Sequence, residues 1–143
     1  MPRQAIGSIL RFTNYIVEKI DFEYNYDFQE RKVPIDFDVD YNIEKNQNDF
    51  KVSLDVSIFK NPKQNNYPFS LYTRVSGFFQ LQNTEENNKQ APTLEKNAIA
   101  ILFPYVRALI SSFTANANVN PLILPPINVL KLIEVKSQAK DQT

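Results

Sequence analysis

The sequence predicts an α+β fold: a four-stranded antiparallel sheet backed by one long C-terminal helix and a short final helix. Within residues 9–81, four segments alternate apolar and polar side chains, the period of a strand that buries one face. Short polar connections separate them, which suits antiparallel neighbours. Residues 98–113 then form an apolar run interrupted only by Arg107, Ser111 and Ser112, the length of a helix rather than of a strand.

The first strand is expected over residues 9–26. Ile20, Phe22, Tyr24, Tyr26 and Phe28 share one parity and Lys19, Asp21, Glu23, Asn25 and Asp27 the other. Upstream, Leu10, Phe12 and Ile16 keep the apolar parity while Asn14 and Glu18 break it, which predicts a bulge or a bend. After a charged turn at residues 29–32, the second strand sets Val33, Ile35, Phe37, Val39, Tyr41 and Ile43 against Asp36, Asp38, Asp40, Asn42 and Glu44. Asn46, Gln47, Asn48 and Asp49 favour a turn. The third strand points Phe50, Val52, Leu54, Val56 and Ile58 inward, and residues 61–66 form a loop. The fourth, residues 67–81, points Phe69, Leu71, Thr73, Val75, Gly77, Phe79 and Leu81 inward.

Residues 83–92 read as a polar surface connection, with Thr93 as N-cap of a helix that runs to about Thr114 and is kinked by Pro104. On a helical wheel Ala100, Pro104, Arg107, Ser111 and Thr114 share one narrow stripe, and apolar side chains cover most of the rest. Such a helix needs two partners. One is the chain's own sheet; the second is a further copy of the chain, met through Leu102, Val106, Leu109, Ile110 and Phe113. A membrane span is excluded on length, because the unbroken run falls short of about 18 to 20 residues. Residues 121–126 (PLILPP) are extended and apolar, a short helix is expected at 129–135, and the single domain covers 1–135 with a disordered polar tail at 136–143.

The chain has no Cys and no His, which removes disulfides, thiolate and imidazole metal sites, and the usual near-neutral general base. Lys plus Arg and Asp plus Glu are 16 each, so net charge gives no reason to expect nucleic acid. Two glycines cannot build a phosphate-cradling loop. No enzymatic activity and no cofactor are expected. Arg11, Glu18, Lys19 and Asp21 interrupt the N-terminal apolar residues, so no signal peptide is read and the expected location is the cytoplasm.

Acidic residues gather on the outward parity, Asp21, Glu23, Asp36, Asp38 and Asp40 among them. They read as a solvated face, as a docking surface for a basic partner, or as a hard-cation site at Asp36, Asp38 and Asp40. The abundant aromatics read as core or subunit interface, or as an exposed groove for apolar ligands or peptide segments.

The string AILFPYVRALISSFTANANVNPLILPPINV resembles the C-terminal half of the SecB family of protein-export chaperones. The ILFPYAR-like motif is carried by Ile101, Leu102, Phe103, Pro104, Tyr105 and Arg107, and the LPP-x-N segment by Leu124, Pro125, Pro126 and Asn128. Ile20, Asp21, Phe22 and Glu23 are similar to the family's first strand, and Gly77, Phe78 and Phe79 to the end of its fourth. The resemblance implies a homotetramer, a dimer of dimers with helices between sheets. It implies an ATP-independent holdase that binds unfolded preproteins in apolar grooves and supports export. Carried over residue by residue, the groove comprises Phe22, Tyr24, Tyr26, Phe28, Phe103, Tyr105, Leu122 and Leu124. Its relatives dock the SecA motor through outward acidic residues; Glu23 fits that pattern, whereas Lys19, Tyr72 and Arg74 depart from it. A sister branch protects an antitoxin of a toxin–antitoxin system, and an interaction scaffold or apolar-ligand carrier on the same fold is a further alternative.

Overall fold

In the computed structural model, which describes residues 10–82, 84–124, 131 and 134, strands β1 (Leu10–Tyr24), β2 (Phe37–Asn46), β3 (Asp49–Ile58) and β4 (Phe69–Leu81) form one antiparallel sheet. Its order is β1-β4-β3-β2, so the first two strands are the edges. A single turn, α1 (Pro62–Asn65), stands in the expected loop between β3 and β4, and a long helix, α2 (Thr84–Asn116), follows β4. The long helix starts well before Thr93. Residues 84–92 are therefore helical rather than a loose connection, and Thr93 is no cap. Lys131 and Glu134 are helical, while the remainder of the expected final helix and the tail at 136–143 lie outside the described residues.

The inward faces of β3 and β4 follow the alternation. Phe50, Val52, Leu54, Val56 and Ile58 on one, and Phe69, Leu71, Val75, Phe79 and Leu81 on the other, are all buried. Over them lies an i, i+4 row of α2, Leu94, Ala98, Leu102, Val106 and Ile110, also buried, with Ile99 and Phe103 beside it. At Gly77 a Cβ would lie 3.0 Å from Leu102 Cδ1. Glycine thus lets the helix settle directly on β4. Three of the residues expected at a partner contact, Leu102, Val106 and Ile110, are consequently spent on the chain's own sheet. Leu109 and Phe113 stay half-buried, and the face of α2 left open carries Ile101, Pro104, Tyr105 and Ala108. By length and composition Leu94–Asn116 could cross a membrane, so the length argument against a span does not hold. What counts against it is that the row from Leu94 to Ile110 is the lid of the core.

The strand β1 bulges twice, where its register against β4 shifts between Phe12 and Asn14 and between Val17 and Lys19. Each bulge flips the alternation. Tyr15 and Val17, opposite Gly77 and Val75, thereby join Phe12, Ile20 and Phe22 on the helix face. Ile16, opposite Ser76, faces outward instead of keeping the parity of Leu10 and Phe12.

The expected second strand starts late, at Phe37, because residues 25–36 are diverted into a crossover loop held by Asn25. This residue is only 3% exposed. Its amide Nδ2 donates to the carbonyls of Pro62 (3.2 Å) and Tyr67 (2.9 Å), its Oδ1 accepts from Asp27 N (3.0 Å), and its N–H donates to Pro68 O (3.0 Å). Further along, Gln29 N donates to Asn66 Oδ1, Arg31 Nη2 to Asn65 O, and the Tyr67 hydroxyl to Asp36 Oδ2.

Two stability predictions follow the burial pattern, both read as urea midpoints at fixed protomer concentration. Asn25→Ala removes the donor to Tyr67 O, one of the donors to Pro62 O and the acceptor for Asp27 N, and lowers stability by about 2–3 kcal/mol; an unchanged midpoint contradicts the latch. Among described groups, Thr73 Oγ1 is buried without a hydrogen-bond partner. Thr73→Val keeps the shape, removes that hydroxyl and raises stability by about 1–2 kcal/mol; a loss contradicts the assignment.

A candidate polypeptide groove

A groove of about 750 Å³ opens where the crossover loop meets the segment that follows α2. Phe28, Val33 and Ile35 line one wall, Val119, Pro121, Leu122 and Ile123 the other, and Phe59 and Phe69 the floor. The lining is apolar apart from the rim residues Glu30, Arg31, Lys32 and Asn120. Among the described residues no cluster of acidic side chains is placed to hold a metal ion.

The floor rests on a backbone exception. Phe59 has φ 55°, in the left-handed region, where a bulky side chain costs of order 1–3 kcal/mol. Its N–H donates to Asp36 O (2.9 Å), and its ring packs on Tyr67 (4.8 Å between centroids) and edge-on to Phe69 (5.3 Å). The turn ends β3 and swings the ring beneath the groove. Phe22 extends the cluster, 5.4 Å from Phe69 and 5.5 Å from Phe113.

The second wall is fixed by the polar stripe of the helix. Arg107 donates from Nε (3.1 Å) and Nη2 (2.8 Å) to Leu124 O, and Ser111 Oγ donates to Leu122 O (3.1 Å). Thr114 Oγ1 accepts from Leu122 N (2.8 Å) and donates to Ile110 O (2.8 Å). The part of the stripe from Arg107 to Thr114 is thus covered by the apolar segment it binds. Its main chain is bonded to α2 while Leu122 and Leu124 are buried and Ile123 is left 71% exposed.

Of the eight residues expected in a groove, the structure places Phe28 and Leu122 on its walls and Phe22 next to its floor. Phe103 and Leu124 belong to the core, at 4% and 1% exposure, because α2 turns the first onto the sheet and Arg107 draws the second onto the helix. Tyr24 and Tyr26 pair edge to face at the end of β1, 4.9 Å apart. Tyr105, 43% exposed, stacks instead on Phe12 (5.4 Å) and Tyr15 (4.9 Å). The apolar groove residues outside that set of eight include Val33, Ile35, Phe59, Phe69 and Val119. The signal for Phe59 is a broken alternation, since Ile58 and Phe59 are adjacent apolar residues.

The outward sheet face is less uniformly acidic than its sequence. Asp21 and Glu23 lie on edge strand β1, opposite Tyr72 and Ser70, whereas Asp38 and Asp40 lie on the other edge. The gap across β4 and β3 is about 14 Å at the usual strand spacing. Between them Arg74 pairs with Asp55 through Nε (2.8 Å) and Nη2 (3.3 Å), and Tyr72 OH donates to Asp55 (3.0 Å). Lys19 sits 5.8 Å from the Tyr72 ring centroid. Lys51 hydrogen-bonds Glu18 (3.0 Å), holding its carboxyl below the ordinary range, and Lys60 reaches Asp38 (3.2 Å). Asp36 is outside any strand, bound to Tyr67, and so does not join Asp38 and Asp40.

The model of the family described as "Preprotein translocase subunit SecB" matches residues 15–140. A relative, "Uncharacterized protein MJ0357" of Methanocaldococcus jannaschii, is 37% identical over 138 residues, covering 93% of this chain and 88% of its own. A solved structure of the Mycobacterium tuberculosis Rv1957 SecB-like chaperone, in complex with a ChAD peptide from the Rv1956 HigA1 antitoxin, matches with a TM-score of 0.63. It is 14% identical and covers 87% of this chain and 91% of that one, a likeness of fold. The SecB family is one of chaperones, not of enzymes. With the family model spanning nearly the whole chain, and with a sheet and long helix in the matching arrangement, the chain belongs to the SecB family.

Proposed function

We propose that the protein is an ATP-independent holdase of the cytoplasm that captures unfolded polypeptide segments in the groove between residues 28–35 and 119–123. The observation that carries this reading is the groove itself: an open apolar trough, its walls built from main chain held in place. Burial of client side chains there contributes roughly 25 cal/mol per Å² of apolar surface, independent of client sequence. Phe22 and the Tyr24–Tyr26 pair extend the apolar surface along β1.

Assembly completes the surface. The open face of α2, with Ile101 and Tyr105, and the long exposed edge of β1 are apolar areas that a lone chain leaves in water. Packing against further copies of the chain, as a homotetramer, covers them. Client delivery has two routes. Export through the SecA motor rests on Asp21 and Glu23, the acidic pair kept together on one outward edge, with Asp38 and Asp40 at the far edge as a second contact. An antitoxin client is favoured by the likeness to the antitoxin-peptide complex, and by the Arg74–Asp55 pair and Lys19, which dilute acidity at the centre of the outward face.

Purified protein should suppress aggregation of a chemically denatured substrate at near-stoichiometric ratio, measured by light scattering; no suppression by intact assemblies contradicts the reading. Sizing by multi-angle light scattering should give a tetramer. Tyr105→Asp should then yield smaller species with unchanged circular dichroism, since Tyr105 lies outside the core. A monomeric wild type, or an undiminished Tyr105→Asp tetramer, contradicts the assembly.

A further inference from the structure

The polar stripe of α2 has a geometry that packing alone does not require. Residues 107, 111 and 114 lie on one side of the helix, and four helical residues rise about 6 Å. Two residues of extended chain advance about 6.6 Å. The repeats match closely enough for successive helix donors to meet the carbonyls of alternate residues. Arg107 reaches Leu124 O, Ser111 reaches Leu122 O, and Thr114 takes the N–H of the same Leu122, so the segment runs antiparallel to the helix. Every one of these bonds goes to main chain. The N–H and C=O of Ile123 take part in none of them.

Resting on the chaperone reading, we propose that Arg107, with Ser111 and Thr114, is a positioning latch that clamps residues 122–124 to the helix as a fixed groove wall, and that client affinity depends on it. Arg107 touches no client. It acts through the wall, whose Leu122 and Ile123 face the groove. The guanidinium suits the task because two of its N–H groups converge on one carbonyl. An unlatched segment, flanked by prolines that donate no N–H, has no other main-chain anchor to the helix at these residues among the described ones.

Because the chain has no Cys, Ile123→Cys provides a single attachment point for a spin label. Label mobility by electron paramagnetic resonance reports the wall without reference to any client. In that background, Arg107→Met keeps side-chain length and removes both donors, and Arg107→Lys restores one charged donor. A fluorescent, permanently unfolded polypeptide, reduced and carboxymethylated, gives the affinity. The latch predicts a mobile label and an affinity lowered about tenfold in Arg107→Met, the scale of one or two lost charge-assisted bonds. Light scattering and helix content stay at wild-type values, and Arg107→Lys recovers much of both losses. Should Arg107→Met lower helix content, Thr114→Val carries the same test by removing the hydroxyl that accepts from Leu122 N, whose own donation is to helix carbonyls already bonded within the helix. An unchanged label in the variant overturns the latch. A mobile label with undiminished affinity overturns the claim that clients use this wall. A wild-type protein that captures no unfolded probe overturns the chaperone reading and the affinity claim together, while label mobility still decides the latch.

Discussion

Everything in this molecule depends on how α2 divides its surface. One i, i+4 row, from Leu94 to Ile110, is buried on the sheet, with Leu102 resting over Gly77. A second stripe, Arg107 to Thr114, is consumed by the extended segment that follows. The third face, with Ile101 and Tyr105, stays open. A helix apolar on most sides is stable in water only if each side has a cover. The sheet supplies the first and a main-chain strap the second; the third is the basis for expecting another copy of the chain.

The strap links stability to the groove. Residues 122–124 bury two leucines and satisfy the helix's polar stripe, yet the same short stretch presents Ile123 to solvent beside Phe28 and Val33. On the opposite wall Asn25 plays the corresponding part. A buried amide holds a loop by its main chain and leaves the apolar side chains of that loop free to line the trough. Polar groups with full hydrogen bonding keep apolar surfaces apart where the hydrophobic effect alone would close them. A chaperone of the SecB family needs such a surface, exposed without collapsing on itself.

Much of this was legible in the sequence because strand periodicity is a local signal. The inward residues of β3 and β4 were readable one by one, as was the irregularity of β1, although two bulges rather than one decided which of Tyr15, Ile16 and Val17 face the helix. The groove was legible as an excess of apolar residues and, through the family resemblance, at Phe28 and Leu122. Phe103 and Leu124 read as exposed because their motif neighbours are apolar too, and only the packing of α2 on Gly77 and the reach of Arg107 settle them in the core. Asn25 read as an outward strand residue, since alternation says nothing of a side chain that ends a strand by bonding carbonyls some 40 residues away. The layout of the acidic face was hidden for a related reason: strand order places β4 and β3 between its two halves, and order is not a local property of any strand.

The account's central claim is that unfolded polypeptide occupies the trough between the crossover loop and the post-helix strap, on the helix side of the sheet. Hydrogen–deuterium exchange with and without a saturating unfolded polypeptide tests this directly. The claim predicts new protection at residues 28–35 and 119–124, with the β2–β3 turn at residues 46–49 unchanged. Protection confined to the outward face or to the edge of β2, with both groove walls exchanging as before, would contradict it.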